Sequence, residues 1–102
     1  MSNIGILGAG TWGIALSRML TNSGHDVLVW SAIESERDEL LNTRRHKNLP
    51  EMKIPQATKF TKSIEEVCND KDILLFAVPS VFVRITAKNA NPYIKANQLL
   101  LT

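Results

Sequence analysis

The chain has 102 residues, 44% of them apolar and 22% charged, with a formal net charge of +2. That suits one small globular domain, and the charge is too low to point to nucleic acid or a membrane surface. A single cysteine, Cys68, leaves no intrachain disulfide or cysteine metal cluster, no apolar run approaches the roughly 20 residues of a membrane span, and the N-terminus lacks the basic start of a signal peptide. Together these favour a reducing cytoplasm.

In chain order, Ile4-Gly5-Ile6-Leu7 reads as a short buried strand bounded by glycine. Apolar residues then fall at Trp12, Ala15, Leu16, Met19 and Leu20, the stripe of a helix with one buried face, and Gly24 supplies its stop. Val27–Trp30 is a second strand. Ser31 followed by Glu34 has the spacing of a capping box and opens a helix through about Asn42. Residues 43–56 read as a loop with two prolines, and Ala57–Thr61 as a weak third strand. Ser63 and Glu66 repeat the capping-box spacing ahead of a short helix. Ile73–Val78, apolar throughout, is the strongest strand. Helical spacing resumes at Val81, Ile85 and Ala90, and Leu99-Leu100-Leu101 begins another strand. Apolar strands alternating with helices predict an α/β fold, a Rossmann-type doubly wound parallel sheet.

Between the first strand and the first helix, Gly8, Gly10 and Gly13 match G-x-G-x-x-G. Gly8 permits the tight turn, Gly10 lets the backbone approach a pyrophosphate, and Gly13 lets the helix pack closely. The helix N-terminus offers N–H groups to that anion. Trp12 either joins the core or lies along a cofactor, and Thr11 either caps the helix or donates its hydroxyl to a phosphate.

The tip of the second strand ordinarily separates NAD from NADP: a carboxylate binds the ribose 2′-OH, a basic neighbourhood a 2′-phosphate. Here the tip reads Trp30-Ser31-Ala32, with no carboxylate. Glu34 is the nearest, and the capping-box reading turns it toward the backbone of Ser31. Arg37, Arg44, Arg45 and Lys47 either reach a 2′-phosphate or form a solvated run. The cofactor is therefore NAD or NADP.

In a doubly wound sheet the first and fourth strands are neighbours where the strand order reverses, so the loops after them face one crevice. Pro79 and Ser80 follow the fourth strand. Ser80 can cap the next helix, Phe82 can face a nicotinamide or join the core, and Arg84 can attract a phosphorylated substrate or sit in solvent.

Three segments carry a family resemblance: GAGTWGIALS at Gly8–Ser17, RRHKNLPEMKIP at Arg44–Pro55 and AVPSVFVR at Ala77–Arg84. Together they resemble the N-terminal part of the bacterial NAD(P)-dependent glycerol-3-phosphate dehydrogenases, over essentially the whole chain. The resemblance implies reduction of dihydroxyacetone phosphate to sn-glycerol 3-phosphate for phospholipid synthesis, in a full-length cytoplasmic homodimer. It implies a dinucleotide site that includes Gly8, Gly10, Thr11, Trp12 and Gly13, with Ser31 at the second strand's tip and Pro79, Ser80 and Phe82 toward the nicotinamide half. Ala32 stands where members often carry a basic residue, and Asn48 where many have a tyrosine before Leu-Pro, so the 2′-phosphate contacts stay unassigned. Family members also have a second, helical domain bearing the main catalytic lysine, and a substrate-binding lysine after the strand that begins at Leu99. No catalytic residue is therefore expected within residues 1–102. Two further readings are a related 3-hydroxyacid or 6-phosphogluconate-type dehydrogenase and a nonenzymatic NAD(H)-binding sensor module.

Overall fold

The computed structural model describes residues 2–31, 33–45, 53–78 and 80–101; the side chains of Glu34, Glu36 and Ser80 also lie outside the description. Five strands, β1 (Asn3–Leu7), β2 (Asp26–Trp30), β3 (Lys59–Thr61), β4 (Ile73–Phe76) and β5 (Leu99–Leu101), alternate with four helices. The helices are α1 (Thr11–Asn22), α2 (Glu34–Thr43), α3 (Ile64–Cys68) and α4 (Ser80–Ala90), the last followed by a 3-10 turn at Asn91–Tyr93. The strands form one parallel sheet in the order β3-β2-β1-β4-β5. The expected doubly wound arrangement is present, and strand order reverses between β1 and β4.

Strand alternation sends side chains to two separate cores. Ile4 and Ile6 of β1, Val27 and Val29 of β2, and Ile73 and Leu75 of β4 share one cluster with Ile14 of α1 and Leu40 of α2. Leu7, Leu28, Trp30, Leu74 and Phe76 point the other way, onto Val67 and Cys68 of α3 and Ala87 and Ala90 of α4. Two helices thus lie over each face of the sheet, as a parallel sheet with apolar residues on both faces requires. Gly5 has a tight role on the second face: a Cβ there would fall on the carbonyl oxygen of Val67. This lets α3 lie directly against β1.

The helices form where expected but turn different faces inward. In α1 the buried residues are Gly13, Ile14 and Ser17. Leu16 and Leu20 pack at the margin of the cluster, while Trp12 and Met19 are exposed. Gly13 and Ser17, four residues apart on one helix face, are small enough to bring the helix axis close, so the bulky neighbours flank the contact. Ser17 meets its own hydrogen-bonding need through Ile14 O at 2.7 Å. In α4 the inward residues are Thr86 and Ala90, with Ala87 partly so, whereas Val81 and Ile85 are exposed. Small residues again make the contact line.

The two capping boxes part company. Ser63 caps α3, its Oγ accepting from Glu66 N at 3.1 Å. The reciprocal half is replaced by Thr61 Oγ1, which accepts from Ser63 N at 3.0 Å. At α2 the N-cap is Ile33, so Glu34 stands at the first helical position and Ser31 lies outside the helix. Ser31 Oγ instead accepts from Ile33 N at 3.2 Å, a local turn that competes with the box. Gly24, at a φ of +94°, ends α1 as expected.

Candidate functional site

The loop after β1 turns tightly against the end of β4. Gly8 has a φ of +130°, and a Cβ on it would come within 2.6 Å of Ala77 O, at the end of β4. Only glycine accepts both the backbone angle and the contact. Gly8 N donates to Trp30 O at 2.9 Å, and Ala77 N donates to Leu7 O at 2.9 Å. The glycine turn is therefore clamped between the tips of β2 and β4, at the point of strand reversal.

Gly10 is the N-cap of α1, and Thr11 is the first helical residue, so Thr11 does not occupy the capping position. The first bond of the helix runs from Ile14 N to Gly10 O at 2.9 Å. The N–H groups of Trp12 and Gly13 precede it and have no acceptor within the helix. A Cβ on Gly10 would meet nothing within 4 Å, whereas one on Gly13 would fall on the Gly8 carbonyl oxygen and lie 3.3 Å from the Ala77 Cβ. The two glycines thus differ in kind: Gly10 borders open space, and Gly13 is a packing contact. The contact at Gly13 is with the glycine turn itself and the end of β4.

Trp12 is 65% exposed at the mouth of this turn, which removes the core-packing alternative. Phe82, on the first turn of α4, is 54% exposed and likewise outside the core. Arg84 is exposed. Helix α4 begins at Ser80, which places Ser80 inside the first turn and not before it. Pro79 lies outside the described residues, as does the side chain of Ser80.

At the tip of β2, Ser31 is only 2% exposed and held by Ile33. Ser31 N donates to Thr61 O at 3.2 Å, continuing the sheet by one residue. Trp30 Nε1 donates to Lys62 O at 3.1 Å, which keeps its indole on the α3 side of the sheet. Arg37 reaches back from α2, its Nη1 donating to Ser31 O at 2.8 Å. The sequence leaves Arg37 either reaching a 2′-phosphate or in a solvated run; the fold brings its guanidinium to the strand tip. Arg44 is spent elsewhere. Its Nη1 donates to Thr58 O at 2.8 Å, and its guanidinium lies 5.6 Å from the Phe60 ring centre. This ties the end of α2 to the segment entering β3. Ala32, Lys47, the Asn48-Leu49-Pro50 stretch and the side chain of Glu34 lie outside the described residues.

The turn therefore offers helix N–H groups, an open space in front of Gly10 and a cation at the neighbouring strand tip. That set fits a dinucleotide: an anion at the helix terminus, and a ribose at the end of β2. Among the described residues no group of histidine, cysteine, aspartate or glutamate could hold a metal ion, and no helix is long and apolar enough to cross a membrane.

Comparison with known proteins gives the same direction. Residues 3–102 match the family described as NAD-dependent glycerol-3-phosphate dehydrogenase N-terminus. A glycerol-3-phosphate dehydrogenase (NAD(P)+) 2 of Lactobacillus delbrueckii subsp. bulgaricus is 63% identical over 101 residues, covering 99% of this chain and 30% of that protein. The glycerol-3-phosphate dehydrogenase (NAD(P)+) of Agathobacter rectalis is 47% identical over 102 residues, again 99% of this chain and 30% of its own length. Among solved structures, the glycerol-3-phosphate dehydrogenase of Coxiella burnetii superposes with a TM-score of 0.88 at 27% identity, over 97% of this chain and 31% of that one. The chain thus spans about a third of the length of the proteins it matches.

Proposed function

This chain belongs to the NAD-dependent glycerol-3-phosphate dehydrogenase N-terminal family, and on that premise we propose that residues 1–102 form the NAD(P)-binding domain of an NAD(P)-dependent glycerol-3-phosphate dehydrogenase. The complete enzyme interconverts dihydroxyacetone phosphate and sn-glycerol 3-phosphate, working in the reducing direction to supply phospholipid synthesis. It acts in the cytoplasm as a homodimer, and the substrate lies between this domain and a further one.

One observation carries the dinucleotide role. The first turn of α1 opens at the strand reversal between β1 and β4, and the position a side chain would take on Gly10 has no neighbour within 4 Å. The N–H groups of Trp12 and Gly13 hold the pyrophosphate there, with the Thr11 hydroxyl as a further donor and Gly8 fixing the turn. Ser31 marks the adenosine end. Trp12 and Phe82 offer apolar faces along the crevice, and Pro79 and Ser80 flank the nicotinamide half. When bound, the nicotinamide supplies or takes the hydride exchanged with the substrate's secondary carbon. What these residues do is bind, orient and leave one face of the crevice open to substrate.

Calorimetric titration with NADH tests the reading. Gly10→Val should abolish binding while its thermal unfolding midpoint stays near that of the parent, because the added side chain enters open space that the ligand needs. Equal affinities would remove the glycine turn from the site. The parent chain should bind NADH yet oxidise it with dihydroxyacetone phosphate no faster than a protein-free blank. Turnover by residues 1–102 alone would show that the chemistry does not depend on a further domain.

A further inference from the structure

The crossover from β3 to β4 is short, and it leaves part of one sheet face open. Helix α3 has only five residues, and Gly5 lets it settle directly over β1, where a Cβ would fall on Val67 O. The first residues of β2 and β3, Asp26 and Lys59, stay exposed, and Leu28, which pairs with Lys59, is only partly buried. Asp26, Leu28 and Lys59 share this face, because alternate residues of a strand point the same way and paired residues lie side by side. The result is a hollow of about 400 Å³ at the amino ends of the strands, within the size range of small-molecule sites. It lies at the end of the sheet opposite the glycine turn, which follows the carboxyl end of β1.

The lining has a definite chemistry. Glu66 enters from α3, and Lys71 from the turn before β4. With Asp26 and Lys59 they make two carboxylates and two ammonium groups, so the formal charges of the lining balance. No ion pair joins any two of these four side chains. Lys71 Nζ donates instead to Asn69 O at 3.1 Å. The charges thus stand apart around the hollow, and Val27, Leu28 and Ala57 supply apolar lining. A lone cation or a lone anion would meet as many repelling as attracting charges there. A small ligand with both signs at separate atoms can set each against its opposite.

We infer that this hollow binds a zwitterionic α-amino acid with an aliphatic side chain. Its carboxylate meets Lys59 and Lys71, its ammonium group meets Asp26 and Glu66, and its side chain lies on Leu28 and Ala57. The site is separate from the dinucleotide crevice and does not rest on that reading.

Titration of the chain with L-leucine, followed in amide proton–nitrogen correlation spectra, tests it. At neutral pH leucine should displace the signals of Asp26, Lys59, Glu66 and Lys71, with a dissociation constant on the order of 1 mM. Isocaproate and isoamylamine keep the aliphatic body but carry only the carboxylate or only the ammonium group. Each should bind at least about fivefold more weakly, as losing a charge-assisted contact implies. Glu66→Gln should weaken leucine about threefold, the scale of a partly solvated ion pair. It leaves α3 capped, because Ser63 Oγ accepts from the Glu66 backbone N–H. Ala57→Phe fills the hollow from an exposed position and should abolish leucine binding, with a thermal midpoint near that of the parent. Saturating NADH should leave the leucine affinity unchanged. Unmoved signals at about ten times the expected dissociation constant would overturn the inference. So would equal binding of either one-charge analogue, because the hollow would then not read both charges. Leucine binding that survives both substitutions unchanged, or that NADH displaces, would place the amino acid elsewhere and overturn it as well.

Discussion

The glycines of the first turn carry different physical burdens, although the sequence shows them only as three equivalent letters. At Gly13 an added methyl would meet the Gly8 carbonyl oxygen and the Ala77 side chain, both fixed by backbone hydrogen bonds at the strand tips. Neither can step aside without breaking a bond of the sheet. Gly13→Ala should therefore destabilise the chain by about 1–3 kcal/mol, the usual cost of forcing atoms into a filled site. Urea unfolding monitored by tryptophan emission measures it directly. A midpoint matching the parent would mean that α1 can slide outward freely, and that the close contact is not what sets the helix position. Gly8→Ala should cost at least as much, because steric contact with Ala77 O is joined there by an unfavourable φ.

Among the elements, strands were easier to read than helix faces. The five strands and four helices follow from apolar runs, glycine punctuation and two capping patterns, which are all local signals. Periodicity identifies the residues able to face a core, but packing selects among them. Trp12, Met19, Val81 and Ile85 are apolar and helically spaced, yet the contact lines run through Gly13 and Ser17 in α1 and through Thr86 and Ala90 in α4. Ser31 fails as a cap for a related reason: its hydroxyl finds a nearer partner in Ile33 N, and the helix begins beyond it. The charge run marks Arg37 as a candidate near the strand tip, but its bond to Ser31 O is a tertiary contact that spacing alone does not select. Helix α3 gives the second test at this scale. It sits against Gly5 and buries Cys68, and that burial pushes the thiol pKa up from its ordinary 9.0, with the nearby Lys71 ammonium opposing. The folded chain therefore holds the thiol proton at pH values where the unfolded chain has released it. Stability from this group is complete below pH 9.0 and declines as pH rises through the folded pKa. The slope can reach about 1.4 kcal/mol per pH unit. Cys68→Ala should be less stable at neutral pH through lost packing, but its stability should fall less steeply above pH 9.0. Parallel curves for the two proteins in urea unfolding from neutral to alkaline pH would show that the thiol is not shielded.

For the molecule as a whole, coverage of the sheet is uneven, and its consequence can be measured. Helices α1 and α2 lie over β1, β2 and β3, and α3 and α4 lie over the opposite face. Strand β5 pairs with β4 on one side, through Ile73↔Leu99, Leu74↔Leu100 and Leu75↔Leu101, and is the edge of the sheet on the other. All three of its leucines are exposed, from 42% at Leu101 to 54% at Leu99. Leu99 and Leu101 share a sheet face with Ile73 and Leu75, which are only partly buried. An edge strand with open backbone groups and three exposed leucines, unprotected by charge or proline, is a template for pairing with another chain. Residues 1–102 studied in isolation should therefore associate as concentration rises, in sedimentation velocity or light scattering. Leu99→Lys places a charge on that edge without removing a core contact, so it should shift the chain toward the monomer and leave its thermal midpoint within a few degrees of the parent. If Leu99→Lys associates as strongly as the parent, the contact lies elsewhere. The exposed Val81, Phe82 and Ile85 of α4 would then be the surface to alter next, and, on the proposed placement of Phe82 along the crevice, NADH should compete with association there but not at β5.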